Sequence, residues 1–281
     1  MSNAGNRAET EAELREERFT TDGLAGLQLH AIHRGEPGAP CLVLLHGAGA
    51  NAHWWDHLAP TLARNFHVVA LDFRGHGDSD FPSEHTPGAF SDDLEALLEH
   101  LDAPGAILMG HSMGAHVALW HAAQPRETPA LVLIDLTRGA SPSRQRATRL
   151  ALTLRRTYSS REQAIDKFRF LPGAAHAAPE LRRAIAAHSV CVEPDGRFGF
   201  KFDPRWFGVP GRRPPDLSAV GCRTLLLRGA DSNLLTSEGA ADIAGKIPGC
   251  ELVEIADAGH HVHIDQPAAV LAATTRFLGA S

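Results

Sequence analysis

The chain is poor in the residues that would staple it or carry it across a membrane. Its four cysteines, Cys41, Cys191, Cys222 and Cys250, lie far apart and form no CxxC or CxxH pair. That argues against a zinc site and a disulfide framework and leaves buried free thiols as the expectation. No apolar run approaches the roughly 18 residues needed to span a bilayer, so no membrane association is expected. The opening stretch, MSNAGNRAETEAELREE, is polar and acidic where a secretory signal is basic and then apolar. A cytoplasmic protein with residues 1–18 as a flexible tail is expected. The net charge is −6 and no basic–aromatic recognition motif occurs, so nucleic-acid binding lacks support. Histidine is abundant, at 17 residues, yet no HExxH spacing appears. His261-Val262-His263 is the nearest approach to metal-ligand spacing, and neither a metal nor a cofactor is expected.

What is present is an ordinary soluble composition, 43% hydrophobic and 21% charged over 281 residues. That length folds as one domain, or as one domain carrying an insertion, in a monomer or homodimer. Short apolar runs, CLVLLH from Cys41, HVVALD from His67, AILMGH from Ala106 and ALVLID from Ala130, read as strands buried on both faces. Helical patterns lie between them, in HWWDHLAPTLARN and in SDDLEALLEHL with Ser91 as N-cap. After Asp216 the alternation resumes with TLLLRG, SEGAADIAGKI, ELVEIA and a last helix through PAAVLAATTRFL. This rhythm predicts a mostly parallel sheet with helices on both faces. ERFTT and LQLHAIHR predict an antiparallel hairpin on its edge.

The rhythm stops between Arg138 and Asp216, where three helical stretches and a polar, turn-rich piece predict an inserted helical cap. The core is then 19–137 and 217–281. The cap carries 16 lysine and arginine residues against 7 acids, net +9, whereas the rest of the chain is acidic. One reading is that the arginines solvate the cap and hold it on an acidic body. The other is that they attract an anionic small-molecule substrate.

GHSMG, from Gly110 to Gly114, sits where a buried strand ends and a helix begins. Flanking glycines free the backbone for a sharp strand-to-helix turn, holding Ser112 above the sheet at a helix N-terminus that favours a developing anion. A serine hydroxyl is a weak nucleophile unless an imidazole takes its proton, and that imidazole needs a carboxylate to fix its tautomer. His260 lies in a Gly-His loop between the last strand and the last helix, at the edge where such sheets bind ligands. Taken with LLHGAGANAHWW, DFRGHGDSD and DAGHHVHIDQPAAV in this order, the chain resembles the α/β-hydrolase superfamily, in its capped serine hydrolase branch.

That resemblance implies an α/β fold with an eight-stranded, mostly parallel sheet. It puts Ser112 on the nucleophile, His260 on the base, and the backbone N–H groups of Ala48 and Met113 on the oxyanion hole. His46, His76 and His111 fall on loop-supporting positions, and Trp54 and Phe73 are candidates for the pocket wall. The chain departs from the family at the acid, normally G-x-x-D after the seventh strand: counting from Gly229 reaches Ser232, with Asp231 one residue early. Asp135, at the end of the sixth strand, is the preferred acid and Asp231 the alternate. The expected activity is hydrolysis of an ester, thioester or lactone through an acyl-enzyme on Ser112. Carbon–carbon hydrolysis of a diketone-like acid and a non-catalytic ligand receptor are the alternatives.

Overall fold

The apolar runs pair because each is flanked by neighbours of the same kind, so a central sheet buries both its faces. In the computed structural model, which describes residues 14–154, 156–209 and 212–279, the main sheet has eight strands. They are β1 (Arg15–Phe19), β2 (Leu29–Arg34), β3 (Cys41–Leu45), β4 (His67–Asp72), β5 (Ile107–His111), β6 (Ala130–Ile134), β9 (Arg223–Gly229) and β10 (Glu251–Ile255). Their spatial order is β1-β2-β4-β3-β5-β6-β9-β10, with β1 and β2 antiparallel to their neighbours and the rest parallel. Alternate residues enter opposite layers: Val43 and Leu45 pack with Leu131 and Leu133 on one face, Leu42 and Leu44 with Val132 and Ile134 on the other. Each such side chain, fully buried, contributes about 1.5–3 kcal/mol.

Helices α1 (Ala59–Leu62), α2 (Ala89–His100), α3 (Met113–Ala122), α7 (Ser237–Lys246), α8 (Val262–Asp265) and α9 (Pro267–Leu278) accompany the main sheet. The single helix expected in HWWDHLAPTLARN is two pieces, a 3₁₀ turn over Ala52–Trp55 and then α1 with Pro60 in its first turn, where proline's missing N–H costs least. α2 begins after Gly88 rather than at Ser91, and Ser91 donates its own N–H to the Gly88 carbonyl at 2.8 Å.

Residues 1–13 of the expected tail lie outside the described residues. Its remainder is corrected, because the edge strand begins at Arg15. Glu17 there lies 2.9 Å from His33 Nε2 and accepts from His100 at 3.1 Å, and Phe19 is buried against the His100 ring, so this stretch is held against its neighbours. Charged residues on its outer face suit an edge strand.

Between β6 and β9 lie α4 (Pro142–Thr153), α5 (Arg161–Lys167), α6 (Pro179–His188) and a small hairpin of β7 (Val190–Val192) with β8 (Phe198–Phe200). The hairpin turns at Asp195-Gly196, where Gly196 has φ +78°. Several cations of this insertion meet acids of the core: Arg138 with Asp242 at 2.5 Å, Lys201 with Asp78 at 2.6 Å, and Arg212 with Asp92 at 3.1 Å. The Arg212 guanidinium also lies over the Trp120 ring, 4.3 Å from its centre. These contacts favour the reading in which the arginines hold the insertion on an acidic body. No helix among the described residues is long and apolar enough to cross a membrane.

Candidate active site

Register places the chemistry. His111 pairs with Ile134, and Ile134 with Leu227, so the carboxyl ends of β5, β6 and β9 finish nearly level. Ser112 follows β5 with φ 52° and ψ −112°, a conformation that a side-chain-bearing residue adopts only under constraint. The constraint is visible on both sides. A Cβ at Gly110 would lie 2.5 Å from the backbone of Gly114, and one at Gly114 would lie 2.2 Å from the Leu45 carbonyl oxygen. Only glycine lets α3 pass this close to β5 and β3. The Ser112 N–H donates to the Ile134 carbonyl at 3.0 Å, tying the turn to the neighbouring strand.

Asp135 directly follows β6 with φ 45° and is fully buried. Three donors converge on its carboxylate: the Ser232 hydroxyl at 2.6 Å and His260 Nδ1 at 2.7 Å on Oδ1, and the Gly229 N–H at 3.0 Å on Oδ2. A buried carboxylate needs that many partners. With Nδ1–H facing Asp135, His260 Nε2 is left to accept from the Ser112 hydroxyl, 2.9 Å away. The His260 loop is itself braced, since His111 Nε2–H donates to the His260 carbonyl at 3.0 Å. Asp265 accepts from the Gly259 N–H at 2.9 Å and from the His176 N–H of the insertion at 3.0 Å.

The structure thus brings together Ser112, His260 and Asp135, and it leaves Asp231 apart. The Asp231 carboxylate is 62% exposed and faces His176 at 3.3 Å. Its backbone N–H bonds the Ala258 carbonyl, which fixes the loop with the side chain outward. Ser112 and His260 face a cavity of about 1240 Å³ whose wall includes Ala48, Met113 and Trp54 from the core and Leu171 and Trp206 from the insertion. Met113 is the first residue of α3, so its N–H has no partner within the helix.

Phe73 is corrected as a pocket residue. It is fully buried in the main core, with its ring 5.0 Å from that of His46 and 5.2 Å from that of Phe90. Its N–H donates to His46 Nε2 at 3.2 Å, while His46 Nδ1–H donates to the Gly47 carbonyl at 2.8 Å. The chain after β4 therefore turns its aromatic inward.

Two contributors escaped the sequence reading. Ser232 occupies the usual acid position but serves as a donor to Asp135; the signal was the G-x-x-S spacing itself, read only as a missing carboxylate. His116, one turn beyond Ser112 on α3, is among the residues lining the cavity. Desolvation, with Arg138 and His260 nearby, lowers its pKa to about 4. Burial likewise holds His111, His261 and His263 well below the usual imidazole range, and the neighbouring histidines add to the effect.

The description "Alpha/beta hydrolase family" matches residues 42–274. The chain belongs to the alpha/beta hydrolase family. This hydrolase is 31% identical over 248 residues to esterase Rv0045c of Mycobacterium tuberculosis, covering 83% of this chain and 80% of that one. It is 27% identical over 262 residues to the sn-1-specific diacylglycerol lipase ABHD11 of Mus musculus, covering 87% and 82%. Among solved structures, an alpha/beta hydrolase from Novosphingobium aromaticivorans superposes with a TM-score of 0.80 at 27% identity, over 95% of this chain and 99% of the other.

Proposed function

We propose that this alpha/beta hydrolase cleaves a carboxylic ester or a related acyl compound, a thioester or lactone, through an acyl-enzyme on Ser112. The observation that carries this reading is the unbroken relay of Ser112 Oγ, His260 and Asp135, at 2.9 and 2.7 Å, opening on a large cavity. The relatives named as an esterase and a lipase support the same class of bond.

In this reaction Ser112 Oγ attacks the substrate carbonyl as its proton passes to His260 Nε2. Asp135 keeps the other nitrogen protonated and stabilises the imidazolium. The N–H groups of Met113 and Ala48 hold the oxyanion, and loss of one such donor costs roughly 3 kcal/mol of barrier stabilisation. His260 then returns its proton to the leaving group, and water repeats the sequence to release the acid. The strained Ser112 backbone presents Oγ without rearrangement, which is the value of fixing the nucleophile on a rigid turn. The insertion acts as a cap that contributes Leu171 and Trp206 to the cavity wall. The test is hydrolysis of an aryl-ester panel by purified Ser112→Ala. Activity is expected to vanish with the fold intact by circular dichroism, and unchanged rates would overturn the proposal.

A further inference from the structure

A second group of chemically competent side chains lies outside the catalytic relay. His53, in the 3₁₀ turn Ala52–Trp55, Asp56 just beyond it, and His188, the last residue of α6, place one ligand-capable atom each within 4.8 Å of one another. His53 Nδ1 and Asp56 Oδ2 are 2.8 Å apart, and the His53 and His188 rings stack with centroids 4.0 Å apart. We propose that these three residues bind a divalent transition-metal ion, Zn²⁺ being the best match, and that the ion ties the insertion to the core.

The donor set is two imidazoles and one carboxylate, the nitrogen-rich borderline set that suits zinc and its first-row neighbours over calcium or magnesium. Tetrahedral zinc with bonds of about 2.0–2.1 Å separates its ligands by about 3.3 Å. The His53–Asp56 pair needs only a small widening as the metal replaces the proton between them. His188 is exposed, so its ring is free to turn inward by the remaining ångström or so, leaving a fourth position for water. Asp56 is available on the correct side: its other oxygen, Oδ1, faces Arg34 at 4.0 Å.

The backbone under the site is already fixed. Asn51 accepts from the His53 N–H at 3.1 Å through its side-chain oxygen and donates to the His188 carbonyl at 3.4 Å through its amide. The C-terminal end of α6 adds partial negative charge that favours a cation. The other compact cluster, His30, Asp72 and Asp78, lacks this availability. Both Asp72 oxygens there are taken, Oδ1 by the Ala52 N–H and Oδ2 by the Asp78 N–H and the His30 ring.

The site would matter to the catalytic cavity because Trp54, adjacent to His53, lines it and donates to Ser189, adjacent to His188, at 3.2 Å. A bound ion would therefore restrain the hinge between core loop and insertion. The experiment is titration of the full chain with ZnCl₂ by calorimetry and with CoCl₂ by visible absorption, for wild type, His188→Ala, Asp56→Asn and the control His176→Gln. The proposal expects one equivalent bound by wild type and His176→Gln, with affinity lower by at least about a hundredfold in His188→Ala and Asp56→Asn, more than loss of a mere supporting contact costs. Absence of binding to wild type, or undiminished affinity in both altered proteins, would overturn it. Neither readout depends on ester hydrolysis, so its outcome is separate from that of the proposed catalytic function.

Discussion

Replacing Asp135 probes the least usual feature of the site, the acid on the sixth strand of the main sheet. In Asp135→Asn the amide fits the same space, but its NH₂ group faces His260 Nδ1 and favours the tautomer in which Nε2 carries the proton. Nε2 then no longer accepts from Ser112. In other serine hydrolases with this relay the change lowers kcat by roughly 10⁴, equal to about 5.4 kcal/mol of barrier. The same loss is expected here, because the three donors around the carboxylate offer no substitute acceptor. The geometry also predicts a repair. Ser232 Oγ lies 2.6 Å from Asp135 Oδ1, which lies 2.7 Å from His260 Nδ1, so a carboxylate at position 232 enters the space that Asp135→Ala vacates. Asp135→Ala/Ser232→Asp should recover at least tenfold over Asp135→Ala alone. Asp231→Asn, changing an exposed side chain, should stay within about threefold of wild type, the range expected where no transition-state contact is lost. The assay is steady-state hydrolysis of an aryl ester with folding checked by thermal melting. If Asp135→Asn kept a tenth or more of the wild-type kcat while Asp231→Asn fell by orders of magnitude, the assignment of the acid would be refuted.

Two further outcomes follow from burial. His46, His76, His111, His261 and His263 all have pKa values below 6.5 in the folded protein, His76 at about 3, with desolvation the leading cause. The unfolded chain therefore takes up protons that the folded chain refuses: stability is full above pH 6.5 and falls as pH drops below it. His30 works in the opposite sense, because its Asp72 partner outweighs its burial and raises its pKa. The lowered histidines outnumber the raised one, so chemical denaturation from pH 7 to pH 4.5 should show a steep loss of stability, and a flat profile would contradict the neutral buried histidines. Phe73→Ala should destabilise the fold by about 3–5 kcal/mol through the cavity it leaves with little change in KM. A raised KM with unaltered stability would return Phe73 to the pocket wall.

The sheet was legible because its strands are apolar on both faces, as in CLVLL and ALVLI, and fully buried strands leave no other pattern. Ser112 was legible because the glycines at 110 and 114 are needed by backbone approach alone, which local sequence encodes. The helix at HWWDHLAP was misjudged because apolar spacing does not report where Pro60 restarts the chain. The edge hairpin was legible in ERFTT and LQLHAIHR, and the structure pairs these stretches antiparallel; what stayed hidden was the strand's start at Arg15 and Glu16, whose charges an edge tolerates. Phe73 and Ser232 failed for the same reason: which way a side chain turns after a strand is decided by what waits there. For Phe73 that is the space beside His46 and Phe90, and for Ser232 it is a carboxylate 97 residues earlier.

The central claim is that Ser112 becomes covalently acylated. Intact-mass spectrometry of protein quenched in acid within seconds of mixing with a slowly deacylating aryl ester measures this directly, followed by peptide mapping. The account predicts a single acyl adduct on the peptide containing Gly110 to Gly114, absent from Ser112→Ala and diminished in His260→Ala. Turnover without any adduct on that peptide, or the same adduct in Ser112→Ala, would contradict it.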